Sequence, residues 1–183
     1  MSARDRLVDL LRARSLRTGD FVLASGQHST FYIDCRLTTM HAEGLALIGE
    51  LGLMAIRDRG WPATAVGGLT LGADPVAYAI AARSATAPPA IHGFTVRKAP
   101  KDHGTGRRIE GCFESGASVV VVEDVITTGG SALEAVRAVR AEGGTVRGVL
   151  AVVDRGEGGR EAIEAQGLPV AALVHVRELL GAS

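Results

Sequence analysis

The 183-residue chain has only two cysteines, Cys35 and Cys112, and their spacing matches neither a disulfide framework nor a zinc site. We interpret both as packing residues of a protein from a reducing compartment. The first residues lead into no long apolar run, and nowhere do about 18 uncharged apolar residues follow one another. The sequence therefore predicts a cytoplasmic protein with no membrane partner.

An excess of charge of one sign is also missing. The 20 basic and 20 acidic residues cancel, so the chain as a whole indicates no nucleic-acid partner. No internal repeat or low-complexity tract occurs. Glycine, in contrast, is abundant: it accounts for 24 of the 183 residues, a share well above the average of about 7%. Many tight turns are therefore expected, and the length suits one α/β domain with a sizeable core.

The most informative stretch is Val119 to Ser131, which reads Val-Val-Val-Val-Glu-Asp-Val-Ile-Thr-Thr-Gly-Gly-Ser. Four consecutive β-branched apolar residues predict a strand that is buried on both faces of a parallel sheet. We expect Glu123 and Asp124 to stand where this strand leaves the sheet, and residues 127–131 to turn into a helix over residues 132–141. Ligands of open α/β sheets bind at this edge.

This turn has the chemistry of a sugar-phosphate site. Its glycines let the backbone approach a phosphate closely, and the following helix offers the positive end of its dipole. Glu123 and Asp124 would repel a bare phosphate, but they can accept hydrogen bonds from sugar hydroxyls or help to hold a divalent cation. The alternative is that both acids merely cap the turn and that the glycines merely permit it.

A second glycine-rich turn, residues 67–75, follows a strand predicted at residues 63–66. Two such turns on neighbouring parallel strands would hold a molecule with phosphates at both ends. A plain connecting turn is the alternative.

The stretch from Val119 to Ser131 resembles the phosphoribosyl pyrophosphate (PRPP) signature of the type I phosphoribosyltransferases. In that family the acids engage the ribose hydroxyls, and the Thr/Gly loop wraps the 5′-phosphate. The resemblance implies that the following residues bind PRPP: Glu123, Asp124, Val125, Ile126, Thr127, Thr128, Gly129, Gly130 and Ser131. The second turn corresponds to the family's pyrophosphate loop, which often has an unusual backbone conformation. Leu71 replaces a basic residue found in some members, so backbone amides of Leu69, Thr70 and Leu71 are the expected contacts.

Residues 97–108 carry five basic residues and one acid, a net charge of +4, and their glycines and proline predict a loop. A solvated charge run is the default interpretation of such a stretch. Its Arg-Lys-x-x-Lys-x-His-Gly pattern, however, resembles the catalytic loop of the orotate phosphoribosyltransferases, which reaches into the neighbouring subunit's site in a homodimer. The resemblance implies that Arg97, Lys98, Lys101 and His103 contact PRPP or pyrophosphate. Lys101, His103 and Asp124 are the predicted catalytic residues, and His103 would either carry a proton or only form hydrogen bonds.

Two further segments are expected to contribute to binding of the nucleobase. Residues 21–36 resemble the hood that closes over the base in the same family, with Ala24 where many members have lysine. This hood would bring Tyr32 and Ile33 to orotate. Arg155, after a strand predicted at residues 145–153, can form a bidentate pair with a carboxylate. By resemblance it binds orotate together with Thr127, and otherwise it would pair with Asp154 or Glu157 at the surface.

Together these features predict a type I phosphoribosyltransferase fold: a central, mainly parallel sheet flanked by helices, with a small N-terminal hood. Residues 1–183 would form one domain, with residues 1–36 mostly hood and residues 37–183 the core. The implied reaction converts orotate and PRPP to orotidine 5′-monophosphate and pyrophosphate in pyrimidine (UMP) biosynthesis. Mg²⁺ would be held mainly through PRPP, with no direct protein ligand and at most a water bridge to Asp124. A purine phosphoribosyltransferase and a non-enzymatic PRPP-sensing regulator are the alternatives.

Overall fold

The computed structural model describes residues 1–22, 28–99 and 108–181, and it has the predicted α/β architecture. Its strands are β1 (Leu16–Val22), β2 (His28–Ile33), β3 (Ala65–Leu69), β4 (His92–Val96), β5 (Ile109–Gly111), β6 (Ser118–Ile126), β7 (Thr145–Asp154) and β8 (Val170–His175). Its helices are α1 (Ala3–Arg14), α2 (Arg36–Thr39), α3 (Ala42–Asp58), α4 (Ala73–Ala85), α5 (Gly130–Ala141), α6 (Gly159–Glu164) and α7 (Val176–Leu179).

Six strands form the central sheet in the order β5-β4-β3-β6-β7-β8. All neighbouring pairs are parallel except β4 and β5, which are antiparallel. The carboxyl ends of β3 and β6 therefore lie side by side, and the two glycine-rich segments meet at one edge of the sheet. The predicted mainly parallel sheet is confirmed.

Helices cover both faces of this sheet and explain the unbroken apolar run in β6. Val120 and Val122 point into a core shared with α1, α3, α4 and α7. Val119 and Val121 point into a second core on the other face, built with α5 and α6. Because side chains alternate along a strand, a strand covered on both faces needs apolar residues at every position.

The N-terminal segment divides between the core and a small separate sheet. Strands β1 and β2 pair antiparallel and form a two-stranded sheet, here called the hairpin. Helix α1 lies within residues 1–36, which were predicted to be mostly hood, but it buries Leu7 and Leu11 completely in the core. A capping box between Ser2 and Asp5 begins this helix. Residues 23–27, including Ala24, lie outside the described residues.

Two strand boundaries near the site differ from the sequence prediction, and one strand was not predicted. Strand β6 extends through both acids to Ile126, because its pairing with β7 continues to Ile126 and Asp154. Strand β3 includes Gly67 and Gly68, which we had placed in a turn; neighbouring main chain comes so close there that only glycine fits. The short edge strand β5 was not predicted.

The two cysteines lie in different environments. Cys35 is buried in the core as expected, but Cys112 is exposed, so the packing role predicted for Cys112 is wrong. Within the described ranges, none of the helices is long and apolar enough to cross a membrane.

Candidate active site

Glu123 and Asp124 lie near the carboxyl end of β6, just before the first glycine-rich segment. Glu123 is 6% exposed, and its Oε1 atom has no hydrogen-bond partner among the described residues. Asp124 Oδ1 accepts a hydrogen bond of 2.9 Å from the backbone amide of Val125. Since a buried polar atom normally has a partner, Glu123 Oε1 marks a place where a ligand can donate a hydrogen bond.

Burial also changes how readily these carboxyls ionise. It raises the pKa of Glu123 to about 8, and the neighbouring Asp124 charge adds to this shift. Burial raises the pKa of Asp124 as well, while the Val125 amide acts in the opposite direction. A cation or several hydroxyl donors at this point would favour the ionised forms.

The turn after β6 encloses a small concavity of about 40 Å³ that opens at the beginning of α5. Gly129 has a φ of +80°, and no side chain of the described structure caps the helix that follows. A Cβ on Gly129 would lie 2.8 Å from the carbonyl oxygen of Gly159, so this glycine is required by conformation and by space. Such an uncapped helix start suits a phosphate. The concavity is lined by Glu123, Val125, Ile126, Thr127, Thr128, Gly129, Gly130, Ser131 and Ala132.

The turn after β3 lies directly beside this site. A Cβ on Gly72 would lie 2.5 Å from Asp124 Oδ1, so the second turn touches the acidic pair. The predicted unusual backbone is a cis peptide bond between Thr70 and Leu71. The Thr70 amide donates to the Val96 carbonyl oxygen at 2.9 Å, and its hydroxyl donates to Asp74 Oδ2 at 2.6 Å. The Thr70 amide could therefore bind a ligand only if it gave up its hydrogen bond to the Val96 carbonyl oxygen.

The cationic segment is described only at its two ends, so Lys101 and His103 lie outside the described residues. Lys98 is exposed, and Arg97 Nη1 is 3.8 Å from Glu110 Oε1. Arg108, one of the five basic residues of residues 97–108, is held by contacts within the protein. Its guanidinium donates to the carbonyl oxygens of Arg97 and Lys98 at 2.8 and 3.2 Å, and it pairs with Glu134 of α5.

Arg155 is almost fully buried at the end of β7, below the hairpin. Its guanidinium carbon lies 4.8 Å from the centre of the Phe31 ring, and its Nη2 atom lies 2.7 Å from Glu157 Oε1. Neither Nε nor Nη2 has a hydrogen-bond partner of suitable geometry in the described structure, although Nη2 forms this ion pair. A planar carboxylate could take both donors.

The carboxylates at this edge fit a shared magnesium ion better than a metal site built only from protein. In residues 1–22, 28–99 and 108–181, no group of three or more His, Cys, Asp or Glu side chains could hold a metal ion. Mg²⁺ usually keeps several waters and is bound largely through substrate phosphates, so an ion carried by a substrate could meet Asp124 through a water.

Comparison with known proteins decides the family. No family model matches the chain. The orotate phosphoribosyltransferase of Aquifex aeolicus is 48% identical over 183 residues, covering 98% of this chain and 99% of that protein. The enzyme of the same name from Mycobacterium leprae is 49% identical over 176 residues, covering 96% of each chain. The chain belongs to the orotate phosphoribosyltransferase family.

A solved structure supports the same relationship and the fold. The Mycobacterium tuberculosis orotate phosphoribosyltransferase in complex with PRPP superposes with a TM-score of 0.82 at 43% identity, covering 97% of this chain and 99% of that one. The predicted type I phosphoribosyltransferase fold is confirmed. So is the predicted enzyme class, a pentosyltransferase of pyrimidine biosynthesis.

In this member of the orotate phosphoribosyltransferase family, most of the predicted site residues lie together at one edge of the sheet. Residues 123–131, Thr70 and Leu71 surround the ends of β3 and β6. Tyr32 is 40% exposed on the hairpin, whereas the side chain of Ile33 is buried in the core, so Ile33 could reach a base only through its main chain.

Sequence reasoning missed three contributors. Phe31 packs on Arg155, Gly159 comes within contact distance of the first turn, and Asp74 holds Thr70. Gly159 lies in a Gly-Glu-Gly-Gly run that could have suggested close backbone approach. No local signal distinguishes Phe31 or Asp74 from ordinary residues of a strand and a helix.

Proposed function

We propose that this chain transfers the 5-phosphoribosyl group from PRPP to orotate, giving orotidine 5′-monophosphate and pyrophosphate. The observation that carries the proposal is the contact between Gly72 and Asp124, which joins two phosphate-type turns around a buried acidic pair. A donor with a phosphate at one end, a diphosphate at the other and hydroxyls between them matches this arrangement.

The 5′-phosphate would occupy the concavity of the first turn. Backbone amides of residues 127–131 and the positive end of α5 would hold it without a basic side chain. Glu123 and Asp124 would accept hydrogen bonds from the ribose hydroxyls. Mg²⁺ would neutralise part of the diphosphate charge, held mainly by PRPP and by a water bridge to Asp124.

Departure of pyrophosphate separates two charges. Negative charge develops on the diphosphate, and the ribose becomes cationic and oxocarbenium-like. Arg97 and Lys98 lie at the described base of the cationic loop, and the same loop would bring Lys101 and His103 to the leaving group. Cations placed there in a site poor in water would stabilise the leaving group. The carboxylates of Glu123 and Asp124 lie on the side where positive charge develops.

Orotate would be bound by its carboxylate to Arg155. The guanidinium packs on Phe31, and its Nε and Nη2 atoms have no hydrogen-bond acceptor of suitable geometry in the part of the chain that the structure describes. Glu157, whose side chain is 38% exposed, would have to move aside because two carboxylates would otherwise compete for one guanidinium. Thr127, Tyr32 and the main chain of Ile33 would complete the base site.

We further propose that the enzyme acts as a homodimer that shares the catalytic loop between subunits. Leu37, Met40 and Leu71 are 42%, 48% and 54% exposed and line one cavity of about 540 Å³ beside the second turn. A second copy covering these apolar side chains would bring its own cationic loop close to this site. Two unpaired cysteines suit action in the reducing cytoplasm.

The test of the function is pyrophosphate release from PRPP with each of several bases. Orotate should support turnover, whereas uracil, adenine and hypoxanthine should support far less. Faster turnover with a purine would replace this proposal by a purine phosphoribosyltransferase. Binding of PRPP without turnover on any base would favour a regulator.

A variant of the base site sharpens that assay. Arg155→Lys keeps the charge but loses the bidentate geometry, so the KM for orotate should rise about 10- to 100-fold while the KM for PRPP changes little. Arg147→Lys, which alters an exposed arginine that donates to Ser118, is the matched control. An unchanged orotate KM in Arg155→Lys would remove Arg155 from the base site.

The shared loop has its own test. Homodimers of Lys101→Ala and of Asp124→Asn should each be at least about 10-fold less active than the unmodified protein. Mixing them should restore activity, because one of the two sites in each mixed dimer is then intact. No recovery in mixed dimers would mean that each loop serves its own subunit.

A further inference from the structure

Four polar side chains form one hydrogen-bonded chain beneath the turn after β3. The Asp74 carboxylate accepts from the Thr70 hydroxyl at 2.6 Å through Oδ2 and from the Thr95 hydroxyl at 2.8 Å through Oδ1. The Tyr78 hydroxyl lies 2.7 Å from Thr95 Oγ1. The chain thus links the end of β3, the first two turns of α4, and β4.

The direction of every hydrogen bond in this chain follows from the ionised carboxylate, which can only accept. Thr70 and Thr95 each have one hydroxyl hydrogen, and each gives it to Asp74. Thr95 can therefore only accept from Tyr78, so Tyr78 is the donor. No alternative arrangement satisfies all four groups, so the chain favours a single geometry.

Thr70 is held from two sides by these contacts. Its amide donates to the Val96 carbonyl oxygen at the end of β4, and its hydroxyl donates to Asp74 in the first turn of α4. Leu71, the next residue, is 54% exposed, and Gly72 comes after it against Asp124. The orientation of Thr70 therefore sets where the backbone of Leu71 and Gly72 faces the site.

We propose that Asp74 is a positioning residue for the diphosphate group: by fixing Thr70 it pre-orients the turn that receives the diphosphate of PRPP. The inference rests on the proposed function, since it assigns the diphosphate to this turn. A turn already in its binding geometry loses less conformational freedom when the ligand binds, and this raises affinity.

Because Asp74 is charged, the proposal predicts the direction in which diphosphate affinity changes when this residue is substituted. A carboxylate near a polyanion is repulsive, so an Asp74→Asn variant would bind diphosphate more tightly if only charge mattered. Positioning predicts the reverse, because an asparagine has only one acceptor oxygen, so Thr70 and Thr95 can no longer each donate to a separate oxygen of this side chain.

The experiment measures binding of inorganic pyrophosphate with Mg²⁺ by calorimetry and, separately, the KM values of both substrates. We expect Asp74→Asn to raise the pyrophosphate Kd and the PRPP KM about 10-fold and to leave the orotate KM unchanged. Thr95→Val should raise both by a smaller factor, Thr95→Ser should behave like the unmodified protein, and Tyr78→Phe should change them least. Asp9→Asn, on the exposed face of α1, is the matched control.

Each outcome separates this inference from the proposed function. Unmodified protein that neither binds pyrophosphate nor turns over orotate would overturn the proposed function. If the unmodified protein does both, then unchanged or tighter pyrophosphate binding in Asp74→Asn would overturn the role of Asp74 alone. A parallel rise in both substrate KM values would also overturn it, since that indicates general damage. Should Asp74→Asn fail to fold, the contrast between Thr95→Val and Thr95→Ser decides the question.

Discussion

The two glycine-rich turns have similar sequences but use glycine for different physical reasons. In the turn after β6, Gly129 adopts a φ of +80°, which a residue with a side chain rarely adopts. In the second glycine-rich segment, Gly67 to Gly72, which covers the end of β3 and the turn after it, no glycine has positive φ. There a Cβ would collide instead, 2.3 Å from the Phe94 carbonyl oxygen at Gly67 and 2.1 Å from that of Val122 at Gly68.

The turns also differ in how many polar groups remain for a ligand. In the first turn, Glu123 Oε1 is buried and has no partner among residues 1–22, 28–99 and 108–181, and no side chain in these ranges caps the helix start beside it. In the second turn, the amide and the hydroxyl of Thr70 already donate hydrogen bonds to Val96 and Asp74. The first turn is thus arranged to gain hydrogen bonds when a ligand arrives, whereas the second is already fixed by protein contacts. The following four changes test this difference, from the largest expected effect to the smallest.

Asp124→Asn should lower kcat/KM about 10- to 100-fold. The loss reflects a charge-assisted hydrogen bond to the ribose, which contributes about 1.5–3 kcal/mol. Steady-state pyrophosphate release measures it, with the exposed Asp58→Asn as control. A loss of less than twofold would mean that the first turn does not hold the donor.

Gly129→Ala should destabilise the protein by about 1–3 kcal/mol and raise the PRPP KM about 10-fold, because the left-handed conformation disfavours alanine and its Cβ meets Gly159. Gly60 is a matched control, with a φ of +62° and nothing within 4 Å of an added Cβ. Gly60→Ala should cost about 1 kcal/mol and leave the KM unchanged. Urea denaturation measures the loss of stability, and steady-state kinetics measure the PRPP KM. Equal PRPP KM values in Gly129→Ala and Gly60→Ala would contradict the assignment of the phosphate to the first turn.

Glu123→Gln should change how stability depends on pH. With the pKa at about 8 in the folded chain and near 4.5 in the unfolded one, the native state keeps a proton that the unfolded chain releases between these values. Stability should therefore fall as pH rises through this window, by at most about 1.4 kcal/mol per pH unit from this group.

Glutamine stays neutral, so Glu123→Gln should flatten that slope, whereas the exposed Glu114→Gln should keep it. Urea denaturation at pH 5.5, 6.5 and 7.5 measures the slopes. Identical slopes for Glu123→Gln and the unmodified protein would show that Glu123 is ionised throughout, and the first turn would then not hold an uncharged buried acid.

Leu71→Lys should have the smallest effect, a PRPP KM lowered about two- to fivefold with kcat unchanged, because an exposed cation adds little to a fixed turn. It restores the basic residue that some members of the family carry at this position. Leu180→Lys, at a similarly exposed position after α7, is the control. A higher KM would indicate that the second turn faces away from the diphosphate.

Much of the fold could be predicted because its signals are local. The valines of β6 have no polar alternation, which indicates a strand covered on both faces, and the glycines after it indicate a turn. The end of β6 could not be predicted in this way. Acids usually mark the end of a strand, but Glu123 lies within β6 because pairing with β7 continues past it. That pairing depends on residues about 28 positions away.

The roles of charged residues were harder to predict than their presence. Arg108 belongs to a basic run in the sequence, yet its guanidinium pairs with Glu134 and holds the carbonyl oxygens of Arg97 and Lys98. Arg155 was found through its position after a strand, but its contact with Phe31 joins segments more than 120 positions apart. Such contacts have no local pattern.

The sequence by itself determined the α/β class, the two turns and the family, because buried strands, glycine turns and short motifs are encoded by neighbouring residues. Only the tertiary structure decided that Gly72 touches Asp124, that Glu123 is buried, and that Asp74 holds Thr70. These facts depend on the order of strands in the sheet and on burial. Both arise when distant segments pack together, so they cannot be obtained from any one stretch of the chain.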